Sequence, residues 1–185
     1  MFKQDNYQFD SGSSGLSVIQ AGRLHLRTLI LLRWVAAAGQ TATVMVVAFG
    51  LGFNLPLVPC LGAIIALVVS NLILARRGQG RQRISDHEAV FLLGFDVVQL
   101  SALLYLTGGL ANPFVTLIIA PAMVSATILS RSATIGLILL AMLSISLLGR
   151  YHLPLPWSGL PLALEPTYLL GIWTSLAVAV VFIAT

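Results

Sequence analysis

A chain of 185 residues that is 58% hydrophobic and only 9% charged is too apolar to be a soluble domain. Runs of about 18 or more apolar residues indicate transmembrane helices, and such runs take up almost the whole length, leaving no room for a separate soluble catalytic domain. The net charge of +4 therefore reads as a topology signal at a bilayer surface and not as a nucleic-acid footprint.

Residues 1–22 are polar and Gly/Ser-rich, with DSGSSG at 10–15, and lack the apolar core of a cleavable signal peptide. They read as a loosely held cytoplasmic tail. The first span is expected over about 27–50, led by Arg23, Arg27 and Arg33, with Trp34 at the interface. Arg33 is expected to snorkel back to the headgroups along its aliphatic stem. A short turn, FNLP, precedes the second span at 56–75, which ends in the basic stretch RRGQGRQR, 76–83. Cys60 lies inside this span. A lone cysteine has no internal disulfide partner, and it reads as a buried structural thiol with a reactive thiol as the alternative.

The third span is expected over 88–107, and GGLANPF, 108–114, leads into the fourth at 113–130. Pro121 is expected to kink that fourth helix. A tight Ser130-Arg131-Ser132 turn introduces the fifth span, 132–149. The proline-rich segment RYHLPLPWSGLPLALEP, 150–166, reads as interfacial, with Tyr151 and Trp157 as anchors, and the sixth span is expected over 167–185. The fold class is an all-α bundle of six transmembrane helices over residues 23–185. Six spans put both termini on one side. Lys3, Arg23, Arg27, Arg33, Arg76, Arg77, Arg81, Arg83 and Arg131 fall on that face, and Arg150 alone falls on the other. The positive-inside rule makes the basic face cytoplasmic and puts GGLANPF on the outer side, periplasmic in a Gram-negative bacterium.

Asp96 is the one acid well within a span, roughly 12 Å deep if Glu88 marks the surface. Gln99, three residues on, shares its helical face. Gln40 lies about 10 Å beyond Arg33 by the same rise, so Asp96, Gln99 and Gln40 are expected to form one polar cluster between the first and third spans. Two readings of it stand: a proton-coupled or ligand-sensing site, and an interhelical hydrogen bond worth about 0.6 kcal/mol. His25, His87 and His152 are dispersed, and no HExxH, CxxC or P-loop pattern is present, so no metal or nucleotide site is expected. Gly78 and Gly80 sit in a basic loop and receive no phosphate-binding role.

GGLANPF has a complete local explanation. Gly108-Gly109 stops one helix, because glycine takes the left-handed conformation at a C-terminal cap. Asn112-Pro113 starts the next, with an Asn cap and a proline at the first helical position. The motif carries no charge, however, where a turn in water would tolerate one. A segment dipping into the apolar boundary needs partners for its N–H groups. The Asn112 amide both donates and accepts, and Phe114 offers a flat face. A lipid-soluble quinone, planar with two carbonyl acceptors and an apolar tail, has the matching chemistry.

The heptapeptide resembles the GGxxNPF motif of the RegB/PrrB/ActS family of redox-sensing histidine kinases, and RTLILLRWVAAAGQ, 27–40, resembles that family's opening helix. The resemblance covers about Arg23 to Thr185. It implies six transmembrane helices with cytoplasmic ends in a bacterial inner membrane, and a heptapeptide between the third and fourth. It further implies a ubiquinone-responsive sensor domain whose quinone-binding residues are Gly108, Gly109, Asn112, Pro113 and Phe114. In such a kinase the bound quinone controls ATP-dependent autophosphorylation of a cytoplasmic histidine, and a DNA-binding response regulator receives the phosphoryl group. Kinases of this kind work as homodimers. The cysteine of the family's cytoplasmic region has no counterpart here, and Cys60 does not inherit its role. The ATP-binding region is also absent, so this chain is not expected to be an enzyme by itself. A stop inside an apolar span reads as a truncation. Oxidised and reduced quinone are expected to favour two arrangements of the third, fourth and sixth helices, with Asp96, Gln99 and Gln40 as a secondary polar site. The rival readings are a proton-coupled transporter centred on Asp96 and a purely structural dimerisation domain.

Overall fold

The computed structural model describes residues 26–78, 84–154 and 165–184. The tail at 1–22, Arg23, His25, Gly80, Arg81, Arg83 and Trp157 lie outside the described residues.

Helix α1, Leu26–Met45, runs on through a π-helical turn at Val46–Gly50. Gly52, at φ +70°, then reverses the chain. Helix α2 spans Leu57–Arg77. Helix α3, Asp86–Leu106, starts on a capping box: Ser85 Oγ accepts from the Glu88 amide, and the Glu88 carboxylate accepts from the Ser85 amide. Those reciprocal bonds satisfy two of the amides that a helix start leaves open, and they begin the helix two residues earlier than residue 88. Helix α4 covers Ile119–Ile128, α5 covers Arg131–Arg150 and α6 covers Pro166–Ala184.

The segment between α3 and α4 is where the structure departs most from expectation. Gly108 and Gly109 stand at φ +106° and +59°, a 3-10 turn covers Gly109–Ala111, and a second 3-10 helix covers Pro113–Ile118. Pro121 is the third residue of α4, just after the 3-10 helix Pro113–Ile118 passes into α geometry, so it stands beside that change of winding and not inside a regular α run.

Among the described residues, five helices are long and apolar enough to cross a membrane: Leu26–Gly50, Leu57–Arg77, Asp86–Leu106, Arg131–Arg150 and Pro166–Ile183. Pro113–Ile128 forms a shorter apolar helix. Its 3-10 portion rises faster per residue than an α-helix, so the stretch reaches roughly 27 Å, close to the ~30 Å of a bilayer core.

Helix α1 packs chiefly on α2, α2 on α3, α3 on α5, and α5 on α4 and α6. One end of the bundle is closed by Leu29, Leu93 and Leu137, with Leu74, Ile84 and Ile128 against them. These residues come from the start of α1, α3 and α5 and the end of α2 and α4, so Arg27, Arg76, Arg77 and Arg131 share that end. A central cluster of Val97, Leu104, Ile118, Ala141 and Ile145 joins α3, the 3-10 helix and α5. Cys60 is fully buried beside Val44, Ile64 and Leu103, in keeping with a structural thiol.

Candidate functional site

Helix α1 leans on α2 and leaves a cleft of about 950 Å³ on its other side, facing α3 and α4. Leu32, Ala36, Gly39 and Thr43 form one wall, and Leu93, Leu100, Leu103 and Leu104 form the other. Leu117, Ala120, Pro121 and Val124 complete it from the 3-10 helix and α4. The walls are apolar, and the few polar groups gather at two places. Neither α5 nor α6 contributes a lining residue to this cleft among those described.

The first polar place lies midway along α1 and α3. Arg33 donates from Nε and Nη2 to Asp96 Oδ1, at 3.1 and 2.8 Å, and from Nη2 to Ser70 Oγ at 2.6 Å. The Arg33 guanidinium also lies 5.8 Å from the centre of the Phe95 ring. Arg33 is 3% exposed, so it does not snorkel to the headgroups. A carboxylate within reach on α3 and a hydroxyl on α2 stabilise the buried charge, and an unpaired charge there would be far costlier. One helical turn further on, Gln99 Nε2 donates to Gln40 Oε1 at 3.0 Å, and Gln40 Nε2 returns a 3.5 Å contact to Gln99 Oε1. The expected cluster of Asp96, Gln99 and Gln40 thus exists as two adjacent bridges between α1 and α3, and its fourth member is Arg33.

Ser70 and Asn71 were missed at the level of sequence. Asn71 Nδ2 donates to the Ile30 carbonyl at 3.1 Å, fastening α2 to α1. The signal was available: a Ser-Asn pair interrupts the otherwise apolar run LGAIIALVVSNLILA.

The second polar place is the heptapeptide. Asn112, Pro113 and Phe114 line the cleft, and Phe114 is 41% exposed. The Asn112 side chain is committed locally. Its Oδ1 accepts from the Phe114 amide at 2.9 Å, and its Nδ2 donates to the Thr107 carbonyl and Thr107 Oγ1 at 3.1 and 2.7 Å. Thr107 Oγ1 in turn donates to the Leu103 carbonyl at 2.8 Å. Asn112 therefore ties the end of α3 to the start of the 3-10 helix through both its side-chain oxygen and its nitrogen.

Gly108 and Gly109 are buried and do not line the cleft. The close approach that Gly109 allows is that of His152: a Cβ at Gly109 would sit 2.6 Å from the His152 Cβ and Cγ. His152 Nδ1 pairs with the Leu148 carbonyl at 2.9 Å, and the Leu153 amide donates to the Tyr105 carbonyl at 2.9 Å. The segment after α5 is thereby fastened against the heptapeptide. Among the described residues no group of histidines, cysteines and acids is placed to hold a metal.

By sequence the chain is 38% identical over 159 residues, 85% of its length, to a protein of Cereibacter sphaeroides described as sensor histidine kinase RegB. It is 42% identical over 78 residues, 42% of its length, to a second RegB of the same species. It covers 34% and 17% of those two proteins, so it spans about a third of the length of the first. No family model and no solved structure matches the chain.

Proposed function

Because the chain is a membrane sensor domain of the RegB/PrrB family of histidine kinases, as homology over 85% of its length shows, we propose that it binds ubiquinone and relays the redox state of the quinone pool. The cleft carries this reading. It is large, apolar and bordered by two small sets of polar groups, the usual make-up of a small-molecule site. Counted along α3, Asp96 to Thr107 spans about 16 Å, room for a planar head and part of an isoprenoid tail.

The coupling we infer is a population shift. A ligand moves an equilibrium only by its differential affinity for two states. Helix α1 supplies the movable wall, because side-chain bridges tie it to α3 across the cleft while its backbone rests on α2. The phosphotransfer that this shift would control belongs to the larger kinase, with ATP as its cofactor and a response regulator as its partner. A crossing by Pro113–Ile128 would make six spans with both ends cytoplasmic. The clustering of Arg27, Arg76, Arg77 and Arg131 at one end of the bundle supports that orientation in an inner membrane, with the heptapeptide on the periplasmic side.

Gly39→Phe tests the site. Gly39 lines the cleft, and a Cβ there meets nothing within 4 Å. The first atom of a larger side chain is therefore accommodated at a position that borders the cleft. Ubiquinone affinity of the purified chain in nanodiscs is expected to fall at least tenfold. Unchanged affinity would show that the quinone binds elsewhere.

A further inference from the structure

Gln40 carries an amide that its partner on α3 uses only in part. Gln99 Nε2 donates to Gln40 Oε1 at 3.0 Å, whereas Gln40 Nε2 stands 3.5 Å from Gln99 Oε1. The second distance exceeds the about 2.7–3.2 Å of a well-formed N–H···O bond. A primary amide has two N–H donors and an oxygen with two lone pairs. Gln40 therefore engages one proton weakly, and its second proton has no hydrogen-bond partner among the described residues. Both glutamines line the cleft. Gln99 is 6% exposed, whereas Gln40 is half-buried, so Gln40 is the member that a ligand can reach. The neighbouring lining residues Ala36, Gly39, Leu100 and Leu103 offer no side-chain acceptor. A neutral acceptor on an apolar ligand would complete the amide without bringing charge into the cleft.

We propose that the Gln40 amide is the hydrogen-bond donor to a carbonyl oxygen of the quinone, with Gln99 as the positioning residue that holds it through the 3.0 Å bond. The inference rests on the quinone reading above and places the head group: the ring sits between α1 and α3, and the heptapeptide borders the tail. Leu29 and Leu93 line the cleft and belong to the cluster that closes the arginine-bearing end of the bundle, so the tail runs the other way, past Leu117 and Phe114. From Gln99 to Thr107 that path is about 12 Å along α3. The placement also gives a physical basis for sensing. A quinone carbonyl only accepts, and it takes the Gln40 N–H in place of the 3.5 Å contact. The hydroxyl of the reduced form also donates, and Gln40 Oε1 keeps a lone pair for it. The two forms thus engage opposite ends of one amide that also bridges α1 to α3, which is the differential contact a population shift requires.

The test titrates the chain in nanodiscs with ubiquinone-1 and with a prenylated arene of the same shape that has no carbonyl oxygens. Gln40→Met keeps the length of the side chain and removes the amide. It is expected to weaken ubiquinone-1 binding about fivefold to tenfold, the ordinary worth of one hydrogen bond, and to leave the arene unaffected. The carbonyl stretch of bound 13C-labelled ubiquinone-1, read by isotope-edited infrared spectroscopy, is expected to move to higher frequency in Gln40→Met as the hydrogen bond is lost. Equal ubiquinone-1 affinity in both proteins, an equal loss of both ligands, or an unmoved carbonyl band would overturn the assignment while leaving the quinone reading in place. No ubiquinone-1 binding by the unaltered chain would overturn both. If Gln40→Met does not fold, photolabelling of the unaltered chain with an azidoquinone decides. Label on α1 and α3 around Gln40 and Gln99 supports the assignment, and label anywhere else, Pro113 and Phe114 included, overturns it.

Discussion

Asp96→Ala removes the carboxylate that accepts two of the Arg33 hydrogen bonds and leaves the guanidinium 3% exposed with only Ser70 on Nη2. Nε and Nη1 are then both unsatisfied. Breaking a buried ion pair from one side typically costs about 3–5 kcal/mol, because the remaining charge cannot reach water. Arg33→Met/Asp96→Leu removes both charges and fills similar volume, and such replacements are commonly neutral or stabilising. The expected pattern is a large loss in the single variant and recovery of most of it in the double. Reversible unfolding in bicelle–SDS mixtures, followed by circular dichroism, reads both values. If Asp96→Ala costs less than about 1 kcal/mol, the pair behaves like an exposed one, and Arg33 reaches the headgroups after all. If the double variant is as unstable as the single, the loss comes from packing and not from the stranded charge.

Three further outcomes follow from the heptapeptide and its surroundings. Gly109→Ala, at φ +59° and facing His152, is expected to destabilise the fold by about 1–3 kcal/mol. Adding His152→Gly should recover the steric part and leave the backbone part, as read by thermal unfolding in detergent. Asn112→Ala loses a helix cap and the bonds to Thr107, at a cost of about 1–2 kcal/mol. Asn112→Asp keeps the acceptor for the Phe114 amide and should fall between the two in the same assay. Gln40→Leu/Gln99→Leu exchanges one side-chain bridge for apolar contact, so stability should change by about 0.6 kcal/mol or less. A much larger loss would show that this pair, and not Arg33–Asp96, holds α1 in place.

Much of the fold was legible in the sequence, and the departures share a cause. Apolar runs located the long helices because a bilayer core demands about 20 apolar residues per span. Helix boundaries were set by capping chemistry and were read from Gly108-Gly109 and Asn112-Pro113. The 3-10 winding ahead of Pro121 was not foreseen, because between the Asn112-Pro113 start and α4 it has no signature of its own in the sequence. Arg33 was misread because a basic residue near a span end looks the same whether it turns to the lipid surface or inward. Choosing between them requires knowing that Asp96 and Ser70 arrive beside it from residues 63 and 37 positions away.

The sequence by itself determined a membrane-embedded helical bundle, its basic face, the turn chemistry of the heptapeptide and the presence of a polar cluster on α1 and α3. Those properties depend on hydropathy, local backbone preference and helical periodicity, all of which act over a few residues. The tertiary structure alone decided that α1 stands off from α3 and α4 to leave a cleft, that the heptapeptide asparagine bonds to its own scaffold, and that Arg33 is buried against Asp96 and Ser70. Each of these depends on which side chains converge from distant parts of the chain, and no local preference encodes that convergence.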